Sequence, residues 1–215
     1  MAFGMACSSS VAVVGCNVDG SGRYSGYGFP VSDLIGLPIG SFASAKGRLA
    51  AALGEAGRAG LARTMAEHTL RVARSTAPTI VVSSADDVLA WSHVIGVDVI
   101  ADGGSLNGAA VAIVQAAGDG RWMVLHADLP LLSERDLGDA WLMLADHELV
   151  LAPSHDGGTS LIAGSVPWTA FAYGPGSFHR HLAAAPAAGI LVRRGLALDV
   201  DTPAHLRWLN SIVDA

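Results

Sequence analysis

From about Val31 to the end of the chain, short apolar segments typical of β-strands alternate with segments whose apolar residues recur at helical spacing. The strand-like segments are "DLIGLPI", "TIVVSS", "VDVIA", "RWMVLHA" and "ELVLAP", and the helix-like segments are residues 46–53, 57–74, 85–94, 106–117 and 133–144. This alternation predicts an α/β fold, with a mostly parallel mixed sheet covered by helices on both faces. Because such sheets bind ligands at the carboxyl ends of their strands, the loops that follow the strands are where we expect the chemistry.

The last third of the chain continues the pattern less regularly. "SLIAG", "WTAFAYG" and "GILVRRG" predict three strands, residues 175–187 a helix, and "TPAHLRWLNSIV" a closing helix with Pro203 in its first turn. Residues 1–30 are rich in Ser and Gly and have neither period, so we expect an N-terminal extension that is disordered or belongs to a misassigned start. Residues 31–215 then form a single domain.

Charge and composition exclude several classes of protein. The net charge is −6 and no cluster of Lys or Arg forms a stripe, which argues against a nucleic-acid partner. No apolar run approaches the roughly 18 to 20 residues of a membrane span. Cys7 and Cys16 have neither a disulfide framework nor a zinc spacing, so we expect a protein of the reducing cytoplasm. A small anionic substrate stays compatible with this composition.

The loop after the first strand contains the chain's only lysine. Lys46 and Arg48 lie at the start of a predicted helix, where a phosphate chain would meet two cations and unpaired backbone N–H groups. The glycine spacing of a P-loop is absent. The alternative is that both residues are solvated members of a first helical turn.

Three carboxylates follow two other predicted strands. Asp128 ends "RWMVLHAD", and Asp199 and Asp201 project to one side of an extended "LDVD" segment because side chains alternate. Carboxylates grouped in this way favour a Mg²⁺ site. The alternatives are capping roles, for Asp128 in its turn and for Asp201 or Thr202 before Pro203.

The remaining loops combine glycine with polar side chains. "HDGGTSL" and "YGPGSF" place glycines beside Thr159 and Ser177, a composition suited to binding a phosphate or carboxylate, although two ordinary turns would explain it as well. In "GGSLNGAA", Asn107 carries the donors and acceptors that could bind a base edge. Its alternative role is helix capping.

Taken together and in order, "PIGSFASAKGRL", "GSLNGAA", "HADLPLL", "APSHDGGTSL", "FAYGPGSFHRH" and "LDVDTPAHL" resemble the phospholactate or phosphoenolpyruvate guanylyltransferase family of coenzyme F-420 biosynthesis, over about residues 31–212. The resemblance implies a Rossmann-like nucleotidyltransferase domain over residues 31–215. It assigns Asp128, Asp199 and Asp201 to Mg²⁺, Lys46 and Arg48 to the phosphates of GTP, Gly104 and Asn107 to the nucleotide, and Thr159, Gly174 and Ser177 to a phosphorylated three-carbon acid. Lys46, Arg48 and Asp128 would be the catalytic residues.

The reaction implied by the resemblance is transfer of GMP from GTP to phosphoenolpyruvate or 2-phospho-L-lactate, which releases pyrophosphate and, with phosphoenolpyruvate, gives enolpyruvyl-diphospho-guanosine. It also implies the next transferase of the F-420 pathway as a partner. One departure is Gly40, where the family usually has a lysine. The alternatives are therefore the same chemistry on 3-phosphoglycerate or another acceptor, or a catalytically silent nucleotide-binding homologue. The sequence predicts no oligomeric state.

Overall fold

The computed structural model describes residues 33–213, so the predicted N-terminal extension, residues 1–30, lies outside the described residues. The strands are β1 (Asp33–Pro38), β2 (Thr79–Val82), β3 (Val99–Ile100), β4 (Arg121–Leu125), β5 (Leu149–Pro153), β6 (Thr159–Gly164) and β7 (Gly189–Ile190). The helices are α1 (Ala50–Arg74), α2 (Asp86–Ile95), α3 (Leu106–Ala117), α4 (Glu134–Met143), α5 (Ser177–Ala184), α6 (Arg194–Ala197) and α7 (Pro203–Val213). Within this described part, no helix combines the length and apolar character needed to cross a membrane.

The seven strands found in residues 33–213 belong to one sheet, in the order β3-β2-β1-β4-β6-β5-β7. The pairs β1–β2, β1–β4, β2–β3 and β5–β7 are parallel, whereas β6 runs antiparallel to both β4 and β5. The predicted mostly parallel mixed sheet is therefore confirmed. Because β1, β2, β3 and β4 all run in the same direction, their carboxyl ends lie at the same edge of the sheet.

Residues of one strand alternate between two apolar layers, one on each face of the sheet. In β4, Met123 and Leu125 pack in the layer that contains residues of α1, α2 and α4. Trp122 and Val124 pack in the opposite layer, which contains residues of α3 and α5. This period of two follows from the pleat of a strand and explains why a buried strand is apolar throughout. Helices cover both faces, as predicted.

The predicted strand "WTAFAYG" is wrong. Its residues form no strand because their backbone donors are paired with side chains: the N–H of Ala172 donates to His181 Nε2 at 2.8 Å, and that of Tyr173 to Asn107 Oδ1 at 2.9 Å. Trp168, Phe171 and Tyr173 instead pack ring against ring at centroid distances of 4.7 Å and 6.2 Å. These aromatic residues pack within a loop, and their enrichment, which is typical of strands, does not distinguish such a loop from a strand.

Two other boundaries differ from the prediction. Only Gly189–Ile190 of "GILVRRG" pairs in the sheet, and the chain then turns into α6. Helix α5 is shorter than the predicted 175–187, because Gly176 adopts a left-handed conformation (φ 66°) at its start and Pro186 follows its end.

Candidate active site

A cavity of about 420 Å³ opens at the carboxyl ends of the parallel strands. Its wall contains Val82, the last residue of β2, and residues that follow β1, β3 and β4, including Gly40, Gly104 and Asp128. It also contains Lys46 and Asp201. The cavity lies where the sheet topology predicts a ligand site. Four of the six sequence motifs, from distant parts of the chain, therefore meet at one place.

Lys46 is held in an unusual backbone conformation. It has φ 55° and ψ 40°, and among residues 33–213 it is the only non-glycine with a positive φ. The left-handed region costs a residue with a Cβ about 1–2 kcal/mol. The predicted helix start at Lys46 is therefore wrong: a 3-10 turn covers Gly47–Leu49 and α1 follows it, with a non-helical residue at Gly54.

The strained backbone directs Lys46 between two carboxylates. Its Nζ lies 2.5 Å from Asp128 Oδ2 and 2.6 Å from Asp201 Oδ1, and its side chain is only 7% exposed. These contacts join positions 82 and 155 residues apart in sequence. Two charge-assisted hydrogen bonds offset the backbone strain and fix the ammonium at the wall of the cavity.

The segment before α7 brings in the third carboxylate. Leu198 and Val200 are fully buried in a small apolar cluster with Leu49 and Met65, so the alternating Asp199 and Asp201 face the other way. This cluster also ties the segment to the start of α1. One ligand oxygen from each of Asp128, Asp199 and Asp201 lies within 4.8 Å of the others.

Burial and neighbouring charges decide the protonation of this group. Burial acts against the charged form of Lys46, but Asp128 and Asp201 more than offset it and raise its pKa. Burial also acts against ionised Asp128, but Lys46 and His126 outweigh it and lower its pKa. His155 Nδ1 lies 3.0 Å from Asp199 Oδ1 and acts to lower the pKa of Asp199, but burial, and then the charges of Asp128, Asp156 and Asp201, outweigh it and raise that pKa. The site thus contains more negative charge than Lys46 neutralises.

The three carboxylates fit a small divalent cation. Asp128 Oδ1 is buried and, among the described residues, has no hydrogen-bond partner, because Lys46 bonds the other oxygen. An unpaired buried carboxylate oxygen is costly unless a cation or donor satisfies it. Three carboxylates form the all-oxygen donor set that Mg²⁺ prefers. The donor chemistry thus fits the metal predicted from the sequence.

Gly104 also lies at the cavity, and the structure shows how its loop is held. Its φ of 81° belongs to the left-handed region, and its N–H donates to Asp102 Oδ1 at 2.8 Å. Ser105 caps α3 by accepting a hydrogen bond from the Gly108 N–H at 3.0 Å. These bonds fix the shape of the loop, which lines the cavity with Gly104, Ser105 and Leu106.

Arg48 and Asn107 lie differently from what their motifs suggested. Arg48 is exposed on the 3-10 turn and is not among the residues that line the cavity. Asn107 Oδ1 accepts the Tyr173 N–H, so this side chain ties the start of α3 to the 173 loop. Neither side chain lies in the cavity wall in this structure.

Thr159, Gly174 and Ser177 lie together in a neighbouring loop cluster. Thr159 and Ser177 are buried, and their hydroxyls are 3.2 Å apart. Gly174 is exposed, with a φ of 121° that favours glycine. Thr159 opens β6, and the next residue, Ser160, accepts the His126 N–H at the end of β4. The cluster therefore adjoins the end of β4, without lining the cavity itself.

Sequence reasoning assigned no role to two residues that shape these loops. Asp87 Oδ2 accepts hydrogen bonds from Ser41 Oγ at 3.0 Å and from the Ala43 N–H at 3.1 Å, which anchors the loop before Lys46. His181 is fully buried and bonds Thr159. An acidic residue in a first helical turn is common, so no signal marked Asp87; His181 could have been found only from its place in the "GPGSFHRH" motif.

Comparison with known proteins agrees with this geometry. Residues 34–208 match the family described as "Guanylyl transferase CofC like". A phosphoenolpyruvate guanylyltransferase of Chloroflexus aggregans is 33% identical over 190 residues, which cover 80% of this chain and 94% of that protein. A 3-phospho-D-glycerate guanylyltransferase of Phenylobacterium zucineum is 46% identical over 88 residues, 38% of this chain and 40% of that protein.

A solved structure shares the fold. A nucleotidyl transferase from Methanothermobacter thermautotrophicus superimposes with a TM-score of 0.62 at 17% identity, and the match covers 85% of this chain and 98% of that one. The Rossmann-like nucleotidyltransferase fold that the resemblance implied is therefore confirmed. The family match extends over most of the described residues and includes every loop of the cavity. The chain thus belongs to the CofC-like guanylyl transferase family and is a nucleotidyltransferase.

Proposed function

We propose that this protein transfers GMP from GTP to phosphoenolpyruvate, giving enolpyruvyl-diphospho-guanosine and pyrophosphate. The observation that carries the proposal is the contact of Lys46 with Asp128 and Asp201 at the cavity wall, with Asp199 close by. A cation beside a cluster of carboxylates suits a nucleotide triphosphate and its metal. We assign residues 31–215 to one catalytic domain and the reaction to the cytoplasm, as a step of F-420 biosynthesis.

In the proposed reaction, a phosphate oxygen of the acid attacks the α-phosphorus of GTP. A new P–O bond forms, the bond to the β-phosphate oxygen breaks, and pyrophosphate leaves with the electron pair. No covalent intermediate with the protein is required, so positioning and charge neutralisation are its main contributions. When bound to Asp128, Asp199 and Asp201, Mg²⁺ would neutralise charge on the phosphates.

We assign the cationic role to Lys46 and Arg48. Lys46 is already desolvated and fixed, so its ammonium can stabilise phosphate charge with little reorganisation. Arg48, exposed on the 3-10 turn two residues after Lys46, would reach the phosphates only when GTP is bound. We assign Gly104 and Asn107 to the nucleotide, and Thr159, Gly174 and Ser177 to the acid.

The choice of acceptor rests on similarity over most of the chain. The Chloroflexus aggregans relative named for phosphoenolpyruvate matches 80% of this chain, whereas the relative named for 3-phospho-D-glycerate matches 38%, although at higher identity. 3-Phosphoglycerate is therefore the second candidate, and 2-phospho-L-lactate shares the same three-carbon frame. A catalytically silent homologue is the third possibility, because Gly40 lines the cavity without a side chain where the family usually has lysine.

The test is incubation of the purified protein with GTP, Mg²⁺ and each acid in turn, with pyrophosphate release and product mass as readouts. We expect turnover with phosphoenolpyruvate, and its loss in Asp128→Asn and Lys46→Ala. Asp119→Asn is the matched control, since Asp119 is exposed in the turn before β4, at the opposite end of that strand from Asp128, and does not line the cavity.

Three outcomes separate the alternatives. Product with 3-phosphoglycerate alone would change the acceptor and keep the chemistry. GTP binding by calorimetry without pyrophosphate release from any acid would favour the silent homologue. Turnover of Asp128→Asn and Lys46→Ala within a fewfold of wild type would show that the catalytic roles are assigned wrongly.

A further inference from the structure

His181 lies completely buried beneath the loop cluster that contains Thr159, Gly174 and Ser177. Its imidazole makes two hydrogen bonds: Nε2 lies 2.8 Å from the Ala172 backbone nitrogen, and Nδ1 lies 2.9 Å from Thr159 Oγ1. The rings of Trp168 and Tyr173 contact it edge to face, with centroids at 5.8 Å and 4.9 Å. These two hydrogen bonds and two ring contacts together fix the orientation of the imidazole.

The two hydrogen bonds determine which nitrogen carries the proton. A backbone N–H can only donate, so Nε2 must present a lone pair to Ala172. A neutral imidazole with a bare Nε2 carries its proton on Nδ1, and that proton can only be donated to Thr159 Oγ1. Burial, together with Arg180 and His126, lowers the pKa of His181 to about 4, so the ring stays neutral near pH 7. His181 therefore makes the Thr159 hydroxyl an acceptor.

This assignment leaves one hydroxyl proton unused. Thr159 and Ser177 together hold two hydroxyl protons, and the single bond between their oxygens, at 3.2 Å, uses one of them. Within residues 33–213, neither hydroxyl has another hydrogen-bond acceptor, and His181 Nδ1 cannot accept because it carries a proton. The pair thus has one donor to offer, and a buried donor without a partner is costly.

We propose that His181 is a positioning residue that fixes the Thr159–Ser177 hydroxyl pair as a single donor for one anionic oxygen of the phosphorylated acid. The inference rests on the proposed function, since it deepens the role given there to these two hydroxyls. It goes further in naming the group that orients them and in limiting them to one hydrogen bond. His181 itself touches no substrate.

Two further contacts connect this unit to the cavity. The residue after Thr159, Ser160, accepts the His126 N–H, and His126 lines the cavity two residues before Asp128. The loop that His181 holds through Ala172 is also held to the start of α3, through Tyr173 and Asn107. His181 thus connects the start of β6 at Thr159 with the loop that contains Ala172 and Tyr173, and each of these segments bonds an element whose residues line the cavity.

The first test is made on the wild-type protein, so it does not depend on a variant that folds. Long-range ¹H–¹⁵N NMR correlations of the imidazole identify which ring nitrogen is protonated. We expect His181 to be neutral at pH 7 with its proton on Nδ1. A proton on Nε2, or a charged ring, would overturn the inference, because Thr159 would then not be held as an acceptor in the way described.

The second test separates positioning from mere packing. Asparagine places an amide nitrogen near the position of Nδ1 and can still donate to Thr159, whereas glutamine extends toward Ala172 and has no donor at that position. We expect His181→Asn to keep the KM for the acid within about threefold of wild type, and His181→Gln to raise it about tenfold or more, as loss of a bond to a charged group does. The KM for GTP should stay unchanged in both.

Exposed His179, on the same helix, provides the matched control: His179→Asn should change neither KM. Equal KM values for the acid in His181→Asn and His181→Gln would overturn the inference while the proposed function stands. Wild-type protein that binds GTP but turns over none of the acids would instead remove the proposed function, and the NMR experiment would still decide the proton position.

Discussion

Lowering the pH from 7 to 5 should destabilise this protein through the buried His181. Its pKa is lowered from the ordinary 6.5 to about 4 by burial and by the nearby Arg180 and His126. Below pH 6.5 the unfolded chain therefore binds a proton at this position that the folded protein does not. The contribution of His181 to stability is complete above pH 6.5 and is lost as the pH falls from 6.5 toward 4.

The size of the effect follows from the two pKa values. For one group that titrates at 6.5 in the unfolded state and at about 4 in the folded state, linkage gives a loss of about 2 kcal/mol at pH 5 and about 3 kcal/mol at pH 4. A small domain has only about 5–15 kcal/mol of stability in total, so the loss at pH 5 is readily measured.

Urea unfolding of wild type and His181→Asn at pH 7 and pH 5 isolates this contribution. Asparagine does not titrate, and the loss of its bond to Ala172 is the same at both pH values and cancels. We expect the fall in the free energy of unfolding between pH 7 and pH 5 to be about 2 kcal/mol smaller in His181→Asn. Equal falls in the two proteins would mean that His181 is protonated as easily in the folded state as in the unfolded chain, and the neutral tautomer argument would fail.

Three further predictions concern the cavity. Lys46→Met and Lys46→Gly should both abolish transfer. In urea unfolding, Lys46→Gly should be more stable than Lys46→Met by about 1 kcal/mol, because glycine tolerates the left-handed backbone. Equal stabilities would contradict the backbone strain at this position. Asp199→Asn should weaken Mg²⁺ binding at least about tenfold by calorimetry, since mutation of residues that only hydrogen-bond a metal ligand already lowers metal affinity by that much. Asp119→Asn should bind Mg²⁺ as wild type does. Unchanged affinity in Asp199→Asn would remove Asp199 from the site. Gly40→Lys should lower the KM for GTP, because a Cβ at Gly40 meets no atom within 4 Å and the new cation faces the cavity. Gly60→Lys, exposed on α1, is the control. An equal effect of both substitutions would mean that the added net charge alone lowers the KM.

Much of the fold could be predicted because its signals are local. A strand's pleat repeats every two residues and a helix turns every 3.6, so alternating apolar patterns indicate β4 or α3 without knowledge of their neighbours. The same alternation places Asp199 and Asp201 on one side of their segment and buries Leu198 and Val200 on the other. The "WTAFAYG" segment has the same local pattern, but it forms no strand. The backbone N–H groups of Ala172 and Tyr173 donate instead to side chains of α5 and α3.

The candidate site was predicted as a set of residues, and only the tertiary structure showed which of them touch. The sequence alone determined an α/β chain with chemistry in the loops after its strands, since hydrophobic period and turn composition act over a few residues. The contacts of Lys46 with Asp128 and Asp201 span 82 and 155 residues, and the burial of Thr159 against His181 spans 22. Those contacts depend on strand order and on the packing of loops against one another, which no local pattern contains.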